Sequence, residues 1–133
     1  MESGKRVSPQ QGCVVFAKNM KRVSAFYQQA LGLAVEESDS THDLLRGMGY
    51  EIVIHSIPRK YAAAIKIARP AQPREGTPFK PTFVVSNLEA VRMAAERTGG
   101  HLKPVERAWR FRGCIVLDGW DPEGNIVQFK QPE

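Results

Sequence analysis

An internal repeat constrains the fold of this chain more than any other feature of its sequence. Asn19 and Asn87 lie 68 positions apart, and each follows a short run rich in β-branched residues, CVVFAK and PTFVVS respectively. Asparagine is a favoured helix N-cap, and apolar residues near helical spacing follow each one until Gly32 or the pair Gly99 and Gly100. The sequence therefore predicts two strand–helix units of the same design.

Three candidate strands follow each predicted helix, which extends the repeat over most of the chain. They span 34–37, 42–46 and 50–57 in the first unit, and 102–107, 111–117 and 125–130 in the second. The last two are joined by a segment in which Pro122 and Gly124 suit a tight turn. We predict a single domain over 1–133 that consists of module 12–57, connector 58–79 and module 80–131.

The net charge of +5 is confined to the segment 58–80, and the rest of the chain is balanced. A nucleic-acid-binding domain usually spreads its basic residues along a face with aromatic residues or a recognition helix. This segment is instead rich in proline, so we predict an irregular or extended connector and no nucleic-acid partner. Its apolar residues Tyr61, Ile65 and Ile67 could pack against a neighbouring surface.

The composition is that of an ordinary globular domain, with 42% apolar and 25% charged residues. The longest uninterrupted apolar run, Cys13 to Ala17, is far shorter than the roughly 18 residues that a membrane span needs. The N-terminal segment MESGKRVSPQQG lacks the apolar core of a signal peptide. We therefore expect a soluble, cytoplasmic protein with no membrane partner, in which the distant Cys13 and Cys114 are buried free thiols.

Two motifs carry a resemblance to a known group of proteins. The run VVFAKNMKRVSAFYQQALGL and the closing DPEGNIVQF together resemble the glyoxalase, bleomycin-resistance and extradiol-dioxygenase superfamily, also called vicinal oxygen chelate proteins. The resemblance covers roughly Gly12 to Gln131. It implies an α+β fold in which two βαβββ modules form a curved mixed sheet around a cleft, with the helices on the outer face. It also implies a homodimer whose pockets are shared or abut.

The resemblance further implies where a metal would bind. Metalloenzymes of the superfamily place His or Glu ligands at the start of each module's first strand and within each module's last strand. The equivalent positions here hold Gly12, Lys80, Ile54 and Gln128, none of which is a good ligand for a divalent metal. We therefore expect no metal and no other cofactor. A one-residue shift in strand register would bring His55 into the position given to Ile54.

His55 is also the one candidate for a catalytic residue, as a general base, although a histidine near a strand end more often has a structural role. His42 and His101 lie near strand starts in polar surroundings, so we expect both to face solvent. We expect four acidic residues to form a solvated edge with no chemistry of their own. These are Glu36, Glu37, Asp39 and Asp43.

The pocket of such a fold would be lined by same-face residues of the four strands that carry ligands in the superfamily's enzymes. These residues are Val14, Phe16, Ile52, Ile54, Thr82, Val84, Ile126 and Gln128. The set is mostly apolar with few polar groups, which is typical of a small-molecule pocket. The neutral amide of Gln128 should bond either a protein group or the ligand, because burying it without a partner is costly.

The segment WRFRGCIVLDGW offers further candidate ligand-binding residues. Trp109, Arg110, Phe111 and Arg112 would alternate along one strand near the cleft. Aromatic and arginine side chains together suit a planar or anionic organic ligand. Alternatively, Phe111 packs in the core while the arginines face water.

We therefore expect a protein without the usual metal site that binds a small organic molecule in the inter-module cleft, as the superfamily's antibiotic-sequestering proteins do, and that forms a homodimer. The alternative is a lyase or dioxygenase of glyoxalase type. In that case the metal ligands lie out of the register given above, or His55 acts as a general base without a metal.

Overall fold

Two modules contain all the strands and both long helices of residues 11–133, the part of the chain that the computed structural model describes. The first module comprises β1 (Gln11–Ala17), α1 (Met20–Leu31), β2 (Ala34–Ser38), β3 (His42–Gly47) and β4 (Tyr50–Ser56). One short helix, α2 (Arg59–Ala62), follows in the otherwise irregular connector. The second module comprises β5 (Thr82–Val84), α3 (Leu88–Thr98), β6 (His101–Leu102), β7 (Trp109–Phe111), β8 (Cys114–Trp120) and β9 (Ile126–Pro132).

Each module builds its own mixed sheet. The strand order is β1-β4-β3-β2 in the first sheet and β5-β9-β8-β6 in the second, where β7 also pairs with β8. The first strand of each module runs parallel to the last one, and the other pairs are antiparallel. The split into β6 and β7 makes the second module a variant of the first. The predicted α+β class with two βαβββ modules is confirmed.

The two long helices begin and end where their capping residues predict. The Oδ1 atom of Asn19 accepts a hydrogen bond from the backbone N–H of Arg22, and Asn87 does the same for Ala90. At the other ends, Gly32 and Gly99 adopt left-handed conformations with φ of 67° and 92°. None of the helices formed by residues 11–133 has the length and apolar character needed to cross a membrane.

The core lies between the helices and the sheets, and it joins the two modules. Val23, Phe26, Tyr27 and Leu31 follow the helical spacing of α1, and all four are buried. Burial of each large apolar side chain contributes about 1.5–3 kcal/mol. Helix α3 packs on α1, and the chain just after α3 lies so close to α1 that a Cβ atom on Gly100 would lie 2.4 Å from the Phe26 ring. The modules therefore share one hydrophobic core.

The predicted strand boundaries in the second module are wrong. Strand β6 ends at Leu102, and a 3₁₀ turn at Val105–Arg107 occupies the second half of the predicted strand 102–107. The next break falls at Arg112 and Gly113, whose φ values of 48° and 77° form the turn between β7 and β8. Left-handed backbone at a non-glycine residue is uncommon, so this hairpin was not predictable from the residue types.

The two cysteines are free, but each is half-buried rather than buried. Cys13 lies on β1, which is an edge strand of the first sheet, and Cys114 directly follows the turn between β7 and β8. Positions at a sheet edge or beside a turn keep part of their surface in contact with water. The prediction of fully buried thiols is therefore wrong in degree.

Candidate functional site

A cavity of about 350 Å³ lies between the two modules, alongside the edge strand β1. Its apolar wall combines side chains of β1, of the connector and of the start of β9. These include Val14, Phe16, Ile57, Phe79, Pro81 and Ile126. Cys13 also lines it, and burial raises the pKa of that thiol. Three of the residues predicted to line the pocket, Val14, Phe16 and Ile126, therefore lie together here.

The register of the first sheet displaces the predicted lining by one residue in β4. Phe16 pairs with His55 in parallel register, and the pairing places Val53 on the same face. Ile52 and Ile54 point to the opposite face, where both are fully buried in the helix-covered core. The prediction that Ile52 and Ile54 line the cleft is therefore wrong, because a slip of one residue exchanges the two faces of a strand.

Four polar side chains form a connected hydrogen-bond network on the second sheet. Thr82 Oγ1 donates to Gln128 Oε1 at 3.2 Å, and Gln128 Nε2 donates to Asp118 Oδ1 at 3.3 Å. Lys80 Nζ donates to Asp118 Oδ2 at 2.8 Å and forms an ion pair with it. Both ends of the Gln128 amide therefore bond protein groups, which is one of the two outcomes expected for this residue. Asp118 balances the charge of Lys80.

Strand pairing also identifies the residue of the first module that is equivalent to Gln128. Thr82 pairs with Gln128 on β9. Val14, 68 positions before Thr82, pairs with Val53 on β4. Val53 is therefore the counterpart of Gln128, and the assignment of Ile54 to that position is wrong. The observed register therefore does not bring His55 into the position equivalent to Gln128.

The four positions equivalent to metal ligands in the superfamily do not fit a divalent metal. They hold Gly12, Val53, Lys80 and Gln128. Glycine and valine offer no side-chain donor atom, the ammonium of Lys80 is a cation, and the Gln128 amide is already bonded at both ends. Within residues 11–133, no group of three or more His, Cys, Asp or Glu side chains is placed to hold a metal ion.

His55 lies beside Phe16 with its tautomer defined by a hydrogen bond. Its Nδ1 atom is 2.8 Å from the carbonyl oxygen of Ser56, which can only accept, so Nδ1 carries the hydrogen. Nε2 therefore keeps its lone pair when the ring is neutral. The ring centroid lies 5.8 Å from that of Phe16 and 6.3 Å from that of His42, on which it stacks.

His42 is held by the acidic residues around it. Its Nε2 is 2.6 Å from Glu37 Oε2, and its Nδ1 is 3.1 Å from Asp39 Oδ1. The hydrogen bond to Glu37 is the main reason why the pKa of His42 is raised, and a hydrogen bond from the side chain of Thr41 lowers the pKa of Asp39 to about 2. His42 is half-buried, so its side chain faces solvent only in part.

Two further expectations about polar residues have different outcomes. His101 is exposed, as predicted, and its ring packs on Trp120. Asp43 is buried and accepts a hydrogen bond from Ser38 Oγ, so the prediction of a solvated acidic edge is wrong at that residue. Asp43 pairs with Ile54 in the sheet, and it therefore points toward the core face.

The remaining candidate ligand-binding residues lie away from the inter-module cavity. Trp109 is exposed on β7, whereas Arg110 projects from the opposite face and pairs with Glu133 at 3.1 Å. Arg112 occupies the turn, with its guanidinium 5.8 Å from the Phe111 ring centroid. The prediction that Arg112 continues the alternation of one strand is therefore wrong.

Thr82 and Gly12 line a small cavity of about 40 Å³ that adjoins the inter-module cavity and shares Cys13, Phe79 and Pro81 with it. Val84 is exposed and pairs with Lys130 on β9.

The turn between β8 and β9 ties the second module to the start of α1. Asp121 is fully buried and accepts hydrogen bonds from Tyr27 Oη and Asn125 Nδ2, each at 2.8 Å. Burial raises the pKa of Asp121, and burial together with this carboxyl group holds the pKa of Tyr27 well above its usual range. The buried carboxylate of Glu123 accepts the backbone N–H groups of Lys18 and Asn19 at 2.8 and 2.6 Å.

The same turn holds Arg74 of the connector at the wall of the inter-module cavity. The backbone N–H of Arg74 donates to the Gly124 carbonyl at 2.8 Å, and its Nε donates to the Glu123 carbonyl at 2.9 Å. Arg74, Phe79 and Glu123 were not predicted from the sequence to have a role in the site. Two signals were available in the sequence, the excess of basic residues in the connector and the DPEG turn. Neither indicated that the connector and this turn are in contact.

Comparison with known proteins places this arrangement in a recognised fold. No protein-family model matches the sequence, and no curated protein does. Among solved structures, a glyoxalase/bleomycin resistance protein from Albidiferax ferrireducens T118 is 18% identical, with a TM-score of 0.64 over 95% of this chain and 100% of that one. A glyoxalase/bleomycin resistance protein/dioxygenase family enzyme from Burkholderia phytofirmans PsJN is 19% identical, with a TM-score of 0.65 over 92% and 98% of the two chains.

The fosfomycin resistance protein FosX from Listeria monocytogenes has the same architecture. It is 14% identical, with a TM-score of 0.64 over 96% of each chain. At these identities the likeness establishes the fold. The chain has the fold of the glyoxalase/bleomycin resistance/dioxygenase proteins, in agreement with the resemblance seen in its sequence.

Proposed function

We propose that this chain is a member of the glyoxalase/bleomycin-resistance/dioxygenase superfamily that binds a small organic molecule between its modules without a metal. The observation that carries the proposal is the cavity of about 350 Å³ beside β1, whose wall is mostly apolar. Its volume lies at the lower end of the range for small-molecule pockets, roughly 300–1,000 Å³. We place this binding protein in the cytoplasm.

The chemistry of the ligand-equivalent positions supports the metal-free part of the proposal. Lys80 already supplies a positive charge there, and it forms an ion pair with Asp118 at 2.8 Å. A divalent cation at this position would have to overcome the repulsion of that ammonium group without gaining a carboxylate or an imidazole from Gly12, Val53 or Gln128.

Binding of a neutral fluorescent probe tests the proposal. N-phenylnaphthylamine fluoresces strongly in apolar surroundings, so its titration measures occupancy of an apolar cavity. We expect Phe16→Ala to weaken its binding at least tenfold, which corresponds to about 1.4 kcal/mol. Phe16 is 61% exposed, so its truncation should leave the fold intact. Met93→Ala removes an exposed apolar side chain of α3, outside the cavity, and serves as the matched control. Equal binding to wild type and Phe16→Ala would contradict the proposal.

A second candidate function is enzymatic, with His55 as a general base. It is favoured by the hydrogen bond from His55 Nδ1 to the Ser56 carbonyl, which leaves Nε2 free to accept a proton. In this case the wild type turns over glyoxal-type thioacetals, His55→Gln loses that activity, and His101→Gln keeps it. Absence of turnover by the wild type would eliminate this function.

We also propose a two-fold homodimer. Phe16, Phe79 and Trp109 expose 61%, 71% and 42% of their surface, and an isolated chain with such apolar groups in contact with water is expected to associate. Tyr61 is exposed as well, whereas Ile65 and Ile67 are half-buried. We place these three connector residues near the interface.

A further inference from the structure

We propose that the molecule bound in the inter-module cavity is an organic acid whose anionic group is held by Arg74. This inference rests on the proposed function, because it assumes that the cavity binds a small molecule. It adds the chemical class of that molecule and the residue that recognises it.

Arg74 is held in place at the wall of the inter-module cavity. Its backbone is bonded to Gly124 and its Nε to the Glu123 carbonyl, at 2.8 and 2.9 Å. The neighbouring connector packs directly on the turn, since a Cβ atom on Gly124 would lie 2.2 Å from the carbonyl oxygen of Gln72. These contacts fix the guanidinium at the cavity wall before a ligand arrives, so less side-chain freedom is lost on binding.

The guanidinium of Arg74 has no acidic partner among the described residues. Its Nε donates to a neutral carbonyl, and none of the ion pairs within residues 11–133 involves Arg74. The two nearest acidic residues along the turn are already satisfied, Asp121 by Tyr27 and backbone groups, and Glu123 by two backbone N–H groups. Within the described residues no carboxylate therefore occupies the guanidinium of Arg74, and its terminal nitrogens can bind a carboxylate or sulfonate of a ligand.

Arg74 is a charged residue in a cavity wall that is otherwise mostly apolar. Val14, Phe16, Phe79 and Ile126 supply apolar contact area, and the polar groups of Thr77 and Asn125 also line the cavity. One cation in a mostly apolar cavity matches a molecule with an aromatic or aliphatic body and a single anionic group. The structure thus selects an amphipathic organic acid over a neutral or cationic ligand.

Two probes that share one ring system separate this inference from the proposed function. Anilinonaphthalene sulfonate carries an anionic group, and N-phenylnaphthylamine has the same aromatic system without it. We expect Arg74→Gln to weaken binding of the sulfonate at least tenfold and to change binding of the neutral probe less than twofold. Lys66→Gln removes an exposed charge elsewhere in the connector, and it should leave both affinities within twofold of wild type.

A second measurement needs no variant. Arginine modification by phenylglyoxal, followed by peptide mass spectrometry, should show that the sulfonate protects Arg74 in the wild-type protein more than the neutral probe does. If the neutral probe binds in a Phe16-dependent manner but the sulfonate is indifferent to Arg74→Gln and gives no such protection, the inference is overturned and the proposed function stands. If neither probe binds the wild type, both are overturned.

Discussion

Replacement of Glu123 by alanine should destabilise the protein by about 3 kcal/mol, although this residue lies far from α1 in sequence. Its carboxylate accepts the backbone N–H groups of Lys18 and Asn19 at the start of α1. In a capping box, a Glu or Gln at the third helical position binds the N-cap N–H, but that position here holds Arg22. Glu123 of the second module supplies the missing carboxylate.

The magnitude follows from the two hydrogen bonds. Bonds to a charged group contribute about 1.5–3 kcal/mol each, and water can reach both donors after the substitution because Lys18 and Asn19 are exposed. The lower value therefore applies to each bond, which gives about 3 kcal/mol in total. Glu123→Gln keeps one acceptor oxygen and loses the charge, so it should cost about half as much.

Urea unfolding followed by circular dichroism measures the free energy of unfolding for each variant. Glu96→Ala, on the exposed face of α3, is the matched control and should change stability by less than about 0.5 kcal/mol. If Glu123→Ala is no more destabilising than Glu96→Ala, the second module does not cap α1 as described.

Three other properties can be measured independently. In an NMR titration the pKa of His42 should lie above its usual value of 6.5, and Glu37→Gln should lower that pKa. Because the pKa is raised in the folded state, the stability that this contact contributes is present at low pH and is lost as pH rises through the raised pKa. An unshifted His42, or one indifferent to Glu37→Gln, would count against the contact. Gly124→Ala should lower the free energy of unfolding by at least about 2 kcal/mol, as measured by thermal unfolding, because φ is +88° and the new Cβ meets the Gln72 carbonyl. The control Gly76→Ala, at a φ of +83° with open space around it, should lower it by only about 1 kcal/mol. Equal costs would refute the close packing of connector and turn. Light scattering at micromolar concentration should give twice the 14.9 kDa of one chain, and the mass of a single chain would rule out the homodimer.

The helices were predictable from the sequence because their signals are local. Asn19 and Asn87 cap α1 and α3 through bonds to the residue three positions on, and Gly32 and Gly99 end them. These contacts depend on neighbouring residues alone. The repeated order of strands after each helix then sufficed to predict the two-module fold.

The strand register was not predictable, because β4 is apolar on both faces. Ile52, Val53 and Ile54 follow one another, so no alternation indicates which side faces the helices. Pairing with β1 decides it, and Val53 rather than Ile54 takes the position equivalent to Gln128. Because side chains alternate between the two faces of a strand, an error of one residue in register assigns each side chain to the wrong face.

Arg74 could not be assigned to the site for a different reason. It contacts Glu123 and Gly124, about fifty positions away, and lines the same cavity as Phe16 of the first module. Such contacts arise from the packing of the connector between the modules. No spacing rule within the connector predicts them.

The proposed function requires that this chain, which has the fold of the glyoxalase/bleomycin resistance/dioxygenase proteins, binds its ligand without a metal. Calorimetric titration with nickel, zinc and manganese tests it most directly, with the triple variant Gly12→His, Lys80→His and Gln128→Glu as a positive control that restores donors at three of the four positions. We predict no stoichiometric binding by the wild type, an unchanged melting temperature in chelator, and a gain of metal binding in the variant. One metal ion per wild-type chain, with a dissociation constant below about 1 μM, would contradict the claim.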